Sequence, residues 1–231
     1  MKYLKCFLVF AGFLIIQFVS ETSKAQDNNS YYFKGEIGYG FPNDPATVTG
    51  DGTSAQNESH DNFKKYGIGL GFNPDGPMRT ELSFGYSPDM NLTSNLPNNL
   101  NAKGKIDNYL FMINAYYDFE ELEQSIVPYI SGGLGLSRMV TDDSSVTNAA
   151  GTFNISEGGV TKDNLGWALG FGAAIQVEEN VSLDIGYRFI AMGKAEQNGV
   201  FSGTPALASN SGSRMDNLFA YELYLGLRIG F

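Results

Sequence analysis

The sequence predicts an all-β fold, an eight-stranded antiparallel up-and-down barrel. Apolar and polar residues alternate with period two, as expected of strands that have two different faces. In the first segment Tyr31, Phe33 and Ile37 share one face, and Lys34 and Glu36 share the other. Glycine (28 residues) is abundant and charged residues make up only 17% of the chain, which is typical of closely packed strands rather than of a helical bundle. The eight predicted strands are 31–41, 63–72, 78–87, 106–119, 127–139, 164–177, 181–193 and 216–231.

The connections between these segments alternate between short and long. Residues 73–77, Asn-Pro-Asp-Gly-Pro, are a strong turn signal, and residues 178–180 are short enough to close a tight hairpin. Short turns at one end and long loops at the other indicate a barrel with an even number of strands and both termini at the turn end. The short connections are 73–77, 120–126 and 178–180, and the long polar ones are 42–62, 88–105, 140–163 and 194–215.

The first 25 residues have the pattern of a secretory signal peptide. Lys2 and Lys5 precede an apolar run over residues 7–19, and small residues follow at 23–25. We therefore expect residues 1–25 to be removed and residues 26–231 to form one barrel domain. Cys6 is the only cysteine, so the expected mature chain has no disulfide and no thiol chemistry.

The charge balance excludes one class of partner. Without residues 1–25 the chain has 12 Lys and Arg against 24 Asp and Glu, a formal net charge of −12. Nucleic acid, which binds basic surfaces, is therefore not expected as a partner.

The two faces of the strands decide whether the barrel is soluble or transmembrane. The interior of an eight-stranded barrel is only wide enough for side chains or one small ligand, so the bulky face would overfill it. The other face is rich in small residues, such as Gly67, Gly69 and Gly71, which suit a crowded interior. We therefore predict a transmembrane barrel with the bulky face in lipid. Its aromatic residues are Phe33, Tyr39, Phe63, Tyr66, Phe72, Phe84, Tyr86, Tyr109, Phe111, Tyr117, Trp167, Phe171, Tyr187, Phe189, Phe219 and Tyr221.

The last strand carries a resemblance to a known family. Its alternating apolar residues are Tyr221, Leu223, Leu225, Leu227, Ile229 and the terminal Phe231. This strand, and the segment 166–189 with its short turn, resemble the small eight-stranded outer-membrane barrels that include the OmpA transmembrane domain, OmpX and the opacity-type proteins. The resemblance implies that the terminal strand is a signal for the barrel-assembly machinery. It also implies that the barrel lies in the bacterial outer membrane, among lipid and lipopolysaccharide.

The inward face is predicted to hold a charge network. Cations and anions are nearly matched there, so we expect ion pairs that plug the lumen, because an unpaired buried charge is very costly. A narrow water-filled pore is the alternative, although wider barrels or rings of one sign would be expected for it. The predicted network is Lys34, Glu36, Lys65, Arg79, Glu81, Asp118, Arg138, Asp184, Arg188, Glu222 and Arg228. Leu110 and Met112 interrupt the polar face of the fourth strand.

The sequence gives little support for catalysis or metal binding. His60, the only histidine, lies beside Glu58, Ser59 and Asp61, but neighbours in one loop are not thereby oriented as a catalytic set. Acidic loop residues lack the spacing of a calcium loop, so no metal and no cofactor are expected. The leading hypothesis is a non-enzymatic barrel that displays four long loops and serves envelope structure or surface recognition, such as adhesion to a host or surface ligand. A narrow porin and a lipid-modifying or proteolytic enzyme are the alternatives. The acidic loop residues are Asp44, Asp51, Asp142, Asp143 and Asp163.

Overall fold

The computed structural model describes most of the chain after residue 29. The described residues are 30–43, 47–48, 58–74, 76–96, 100–122, 125–148, 154–204 and 212–231. The predicted signal peptide, residues 1–25, and the loop residues Asp44 and Asp51 lie outside them. Among the described residues, no helix is long and apolar enough to cross a membrane.

Eight long strands form the barrel, and four short strands lie between them. The barrel strands are β1 (Tyr31–Pro42), β4 (Phe63–Phe72), β5 (Met78–Leu96), β6 (Leu100–Asp118), β7 (Ile126–Thr141), β10 (Thr161–Glu178), β11 (Val181–Thr204) and β12 (Arg214–Gly230). The short strands are β2 (Thr47–Val48), β3 (Glu58–His60), β8 (Ser144–Asn148) and β9 (Asn154–Gly159).

The sheet closes on itself, so the predicted fold class is confirmed. Each barrel strand pairs antiparallel with the next, and β1 pairs with β12 from Tyr32 opposite Gly230 to Pro42 opposite Ala220. Closure pairs the backbone groups of every barrel strand on both sides, which is the condition for crossing hydrocarbon with strands.

The bulky face points outward along the barrel strands. Phe171 is 60% exposed and Trp167 is 39% exposed, so neither packs inside the cylinder. On β12 the outward apolar band runs from Phe219 to Phe231, roughly 30 Å for a strand tilted by about 40°, which matches a bilayer core. Phe63 is the exception: it is buried inside the barrel against Gly40, because it has the same parity as the inward Lys65.

Outward aromatic residues gather at both ends of this apolar band. Such girdles mark the two membrane interfaces of transmembrane barrels. The girdle at the turn end contains Tyr31, Phe72, Tyr117, Phe119 and Phe231, and the girdle at the loop end contains Tyr39, Phe41, Tyr66, Tyr86, Tyr109, Trp167, Tyr187, Phe189, Phe219 and Tyr221.

The described parts of the long polar connections contain paired strands beyond those that the sequence predicted. β5 and β6 continue as a paired hairpin up to Leu96 opposite Leu100. β8 and β9 form a hairpin that pairs with β6 on one side and with β11 on the other. Above the loop-end girdle, the barrel wall therefore continues as a rim of paired strands.

Three strands change register near the loop-end girdle, and a neighbouring Asn or Asp side chain holds the backbone at each place. Asn43 bonds the backbone of Asn217 and Phe219, and Asn164 bonds both backbone groups of Lys194. Asp107 accepts the backbone N–H of Asp89 at the irregularity in β5. The shifts occur between residues 87 and 90 in β5 and between residues 191 and 195 in β11, where the pairing partners in β12 are residues 215–219. Each shift reverses which residues face inward, so Met90, Ala195 and Met215 are buried in the lumen.

A charge placed on the lipid face should destabilise the barrel according to its depth. We expect Leu169→Arg, near the middle of the apolar band, to lower the free energy of unfolding by about 2–4 kcal/mol. Thr161→Arg is the control, because it faces outward on the same strand beyond the girdle and should cost about 0–1 kcal/mol. Urea unfolding of both variants in lipid vesicles measures the difference, and equal losses would contradict the proposed membrane boundary.

Candidate functional site

Five charged side chains cross the middle of the lumen, and we call them the ionic layer: Lys34, Glu36, Lys65, Arg188 and Glu222. Glu36 contacts Lys34 at 3.1 Å, Lys65 at 3.7 Å and the Arg188 guanidinium. Glu222 contacts Lys65 at 3.3 Å and Arg188 at 2.5 Å. The five side chains come from β1, β4, β11 and β12 and are buried or nearly so. They therefore link four neighbouring strands of the wall through alternating charges.

Glycine provides the space for these long side chains. A Cβ atom at Gly67 would lie 2.6 Å from Cγ of Glu36, and one at Gly85 would lie 2.5 Å from Cε of Lys65. A Cβ at Gly38 would collide with the Glu222 carboxylate. The interior is thus crowded, as the small residues of the inward face predicted.

Four buried tyrosines lie next to the ionic layer on its turn side, and we call them the tyrosine cage: Tyr32, Tyr116, Tyr129 and Tyr224. Glu81 contacts Lys34 at 3.4 Å and accepts hydrogen bonds from the hydroxyls of Tyr32, at 3.1 Å, and Tyr116, at 3.0 Å. The hydroxyls of Tyr129 and Tyr224 are hydrogen bonded at 2.8 Å. Sequence reasoning missed these inward tyrosines because it named only small and charged residues on the inward face. Their parity, shared with the inward Lys34, Asn114 and Glu222, was the available signal.

Arg79 lies within this cage and is completely buried. Its Nε donates to Asp118 at 2.9 Å, and its guanidinium carbon lies 3.9 Å from the ring centroid of Tyr116 and 4.9 Å from that of Tyr129. Charge-assisted hydrogen bonding and cation–π contact together replace the water that the guanidinium loses. Nearer the turn end, Arg228 lies 3.6 Å from Asp184.

An apolar layer fills the lumen on the loop side. Leu110 and Met112 face inward and are buried, which confirms their predicted place on the inward face of β6. Five of the chain's seven methionines belong to this cluster. Its members are Phe63, Met90, Ile106, Leu110, Met112, Met139, Ala168, Ile190, Met192, Ala195, Met215, Leu218 and Ala220.

The two layers leave little free space in the lumen. A cavity of about 20 Å³ lies between them, beside Glu36, Met112 and Asn114, and has room for roughly one water molecule. A pocket of about 240 Å³ opens at the turn end, where Asp118, Gln176 and Arg228 line it. Solvent therefore enters the lumen from the turn end and stops at the tyrosine cage.

The structure brings ten of the eleven predicted network residues to the lumen, and one prediction was wrong. Arg138 faces outward and pairs with Asp163 at 2.7 Å. It has the parity of Leu134, whereas Gly135 and Ser137 face inward. Without it, the predicted set has five cations and five anions: Lys34, Lys65, Arg79, Arg188 and Arg228 against Glu36, Glu81, Asp118, Asp184 and Glu222.

The other predicted site residues lie away from the lumen. The apolar residues of β12, from Tyr221 to Phe231, all face outward toward lipid, and their role in assembly stays a prediction. The backbone of His60 pairs with Leu92 in the rim. Asp142 and Asp143 are exposed, and within the described ranges no group of acidic, His or Cys side chains is arranged to hold a metal ion.

These features define a transmembrane barrel of eight strands with a closed lumen. The chain belongs to the outer membrane protein beta-barrel domain family, whose model matches residues 11–204. It is therefore a bacterial outer-membrane protein, with the turn end in the periplasm and the rim outside the cell.

Individual proteins of known sequence or structure resemble parts or all of the chain. Outer membrane protein PagN of Salmonella typhimurium is 32% identical over 99 residues, which is 42% of this chain and 40% of PagN. A major outer membrane protein of Thermus thermophilus has a TM-score of 0.54 at 14% identity, covering 87% of this chain and 99% of that one. Neisserial surface protein A (NspA) has a TM-score of 0.51 at 19% identity, covering 87% of this chain and 97% of that one. The two structures share the fold with this chain.

Breaking the ionic layer should be far more costly than breaking a surface pair. We expect Glu36→Ala to lower the free energy of unfolding by about 3–5 kcal/mol, because Lys34, Lys65 and Arg188 would lose a buried carboxylate. Lys105→Ala removes an exposed partner of Asp89 and should cost about 0–1 kcal/mol. Urea unfolding in vesicles, followed by Trp167 fluorescence, compares the two variants. Similar losses would show that the network contributes little.

Proposed function

We propose that this protein is a non-enzymatic outer-membrane barrel whose extracellular rim recognises a ligand at the cell surface. The observation that carries the proposal is the contrast between a lumen closed by two layers and a rim built of paired strands. A barrel with this division presents a rigid surface outward and passes no solute.

The closed lumen argues against transport. Between the pocket at the periplasmic end and the rim, the path is crossed by the tyrosine cage, the ionic layer and the apolar layer. A conducting pore would need a continuous wet path, and apolar constrictions close pores by excluding water. The two layers stop water and ions by different means, so the loss of one leaves the other in place.

The rim is suited to recognition. The β8–β9 hairpin pairs with β6 and β11, which fixes it to two barrel strands. Thr141 and Glu157 anchor it further: the Thr141 hydroxyl donates to the backbone of Glu196, and Glu157 accepts from Ser213. A surface ordered before binding loses little conformational entropy when a ligand arrives.

Trimming the rim should abolish recognition without unfolding the barrel. We expect replacement of residues 142–160 by an Asn-Gly turn to remove binding, because these residues form the β8–β9 hairpin and end at the barrel strands β7 and β10. The control replaces the periplasmic turn 120–125. Binding of whole cells that display each variant to immobilised glycans and extracellular-matrix proteins is the measurement. Equal binding by both variants would contradict the proposal.

The lumen should open only when the ionic layer, the apolar layer and the tyrosine cage are all trimmed. We expect the native protein to be silent in planar bilayers, and Lys65→Ala with Glu222→Ala to stay silent because the apolar layer remains. Adding Met112→Ala and Met139→Ala in the apolar layer and Tyr116→Ala and Tyr129→Ala in the cage should produce channels. Steady channels in the native protein would instead favour a narrow porin.

A further inference from the structure

A contiguous aromatic surface covers one side of the barrel at its extracellular membrane boundary. We call it the aromatic platform: Trp167, Tyr187, Phe189, Phe219 and Tyr221, on β10, β11 and β12. Ring centroids of Trp167 and Phe189, and of Phe189 and Phe219, are 5.1 Å apart. The rings face lipid at the level where acyl chains meet headgroups.

A cluster of charges lies directly above the platform. Arg138 on β7 pairs with Asp163 on β10, four residues above Trp167. Lys194 on β11 and Arg214 on β12 share Asp216, at 2.9 and 3.3 Å. Lys162 pairs with Glu196 at 2.7 Å beside them. Four cations thus meet three anions, a local excess of positive charge on a chain whose net charge is −10.

The cations keep hydrogen-bond donors for a ligand. Arg138 holds Asp163 through Nε and Nη2, which leaves its Nη1 hydrogens outside this fork. Arg214 contacts Asp216 through Nε at 3.3 Å. All three outward cations, Arg138, Lys194 and Arg214, are half exposed, so an anion reaches them without displacing the wall.

The opposite side of the barrel also has stacked outward aromatic residues. Tyr86 and Tyr109 stack there with centroids 4.8 Å apart. Above them, Lys105 pairs with Asp89 at 2.8 Å, and Asp107 accepts a hydrogen bond from Tyr86. Two carboxylates thus lie beside Lys105, so this cluster has no excess of positive charge.

We propose that the platform and the cations above it bind a phosphorylated glycolipid of the outer leaflet. Arg138 contacts one phosphate, and Lys194 and Arg214 contact a second one, while the aromatic platform packs against acyl chains. β7 and β12 are three strand spacings apart, about 14 Å, a separation suited to two phosphates on one disaccharide. The inference rests on the outer-membrane location and is independent of the proposed recognition function.

The chain carries its own reporter for this binding. Trp167, the single tryptophan, is part of the platform. The experiment titrates the protein, folded in zwitterionic detergent micelles, with purified lipid A, the phosphorylated disaccharide anchor of lipopolysaccharide, and follows Trp167 emission. We expect a saturable change with lipid A and a much weaker response with dephosphorylated lipid A.

Matched variants separate a specific site from general attraction. Arg138→Gln, Lys194→Gln and Arg214→Gln together should weaken binding about tenfold or more, because charge-assisted contacts to phosphate are lost. Lys64→Gln, Lys103→Gln and Lys105→Gln remove the same charge from exposed residues elsewhere and should change affinity less than twofold. Equal weakening by both sets, or none by either, overturns the proposal.

A further variant tests whether the loss of lipid A affinity comes from the carboxylates that remain after their cations are removed. Adding Asp163→Asn and Asp216→Asn to the first set makes these positions neutral. Binding should stay weak if the cations contact phosphate. Recovery of native affinity would show that the loss came from repulsion by the exposed carboxylates, and it would overturn the assigned contacts. Heat-modifiable gel migration confirms that each variant is folded.

Discussion

Closure between β1 and β12 is the constraint on which the remaining structure depends. A barrel in hydrocarbon cannot leave a strand edge unpaired, and closure of eight strands fixes the width of the lumen. Long side chains then fit only where the neighbouring strand has no Cβ, as at Gly67 beside Glu36 and at Gly85 beside Lys65. Since charges in so narrow a space have little water, each one must contact a charge or hydroxyl from another strand. Glycine and ion pairing are thus two consequences of the same closure.

Alternation made the eight barrel strands predictable, because lipid and lumen demand opposite chemistry from neighbouring residues. The errors arose where chemistry was given more weight than parity. Arg138 was assigned inward because it is charged, although Leu134 and Leu136 share its face. It is stable outward because it lies beyond the apolar band. Phe63 was assigned outward because it is aromatic, although Lys65 shares its face.

The part of the apolar layer beyond the register shifts could not be predicted, for a different reason. Met90 and Met215 face inward only because β5 and β12 shift register below them, and the register depends on side chains from other strands. Asn43, Asp107 and Asn164 supply hydrogen bonds to backbone groups at these shifts. Such contacts join residues far apart in sequence, so no local pattern predicts them. Above these shifts, the described parts of the expected loops form the paired strands of the rim.

The order of the layers along the barrel axis explains how the rim gains independence from the membrane-embedded wall. The ionic layer lies nearer the periplasmic end and meets the tyrosine cage there, and its charges are stabilised by one another and by the Tyr116 hydroxyl. The methionine-rich layer lies nearer the rim, where it needs no hydrogen-bond partners and adapts to irregular packing. A change in a rim strand therefore meets an adaptable apolar layer before it reaches the ion pairs that hold the wall. This arrangement allows the rim to change in sequence while the ionic layer, and with it the closed barrel, stays intact.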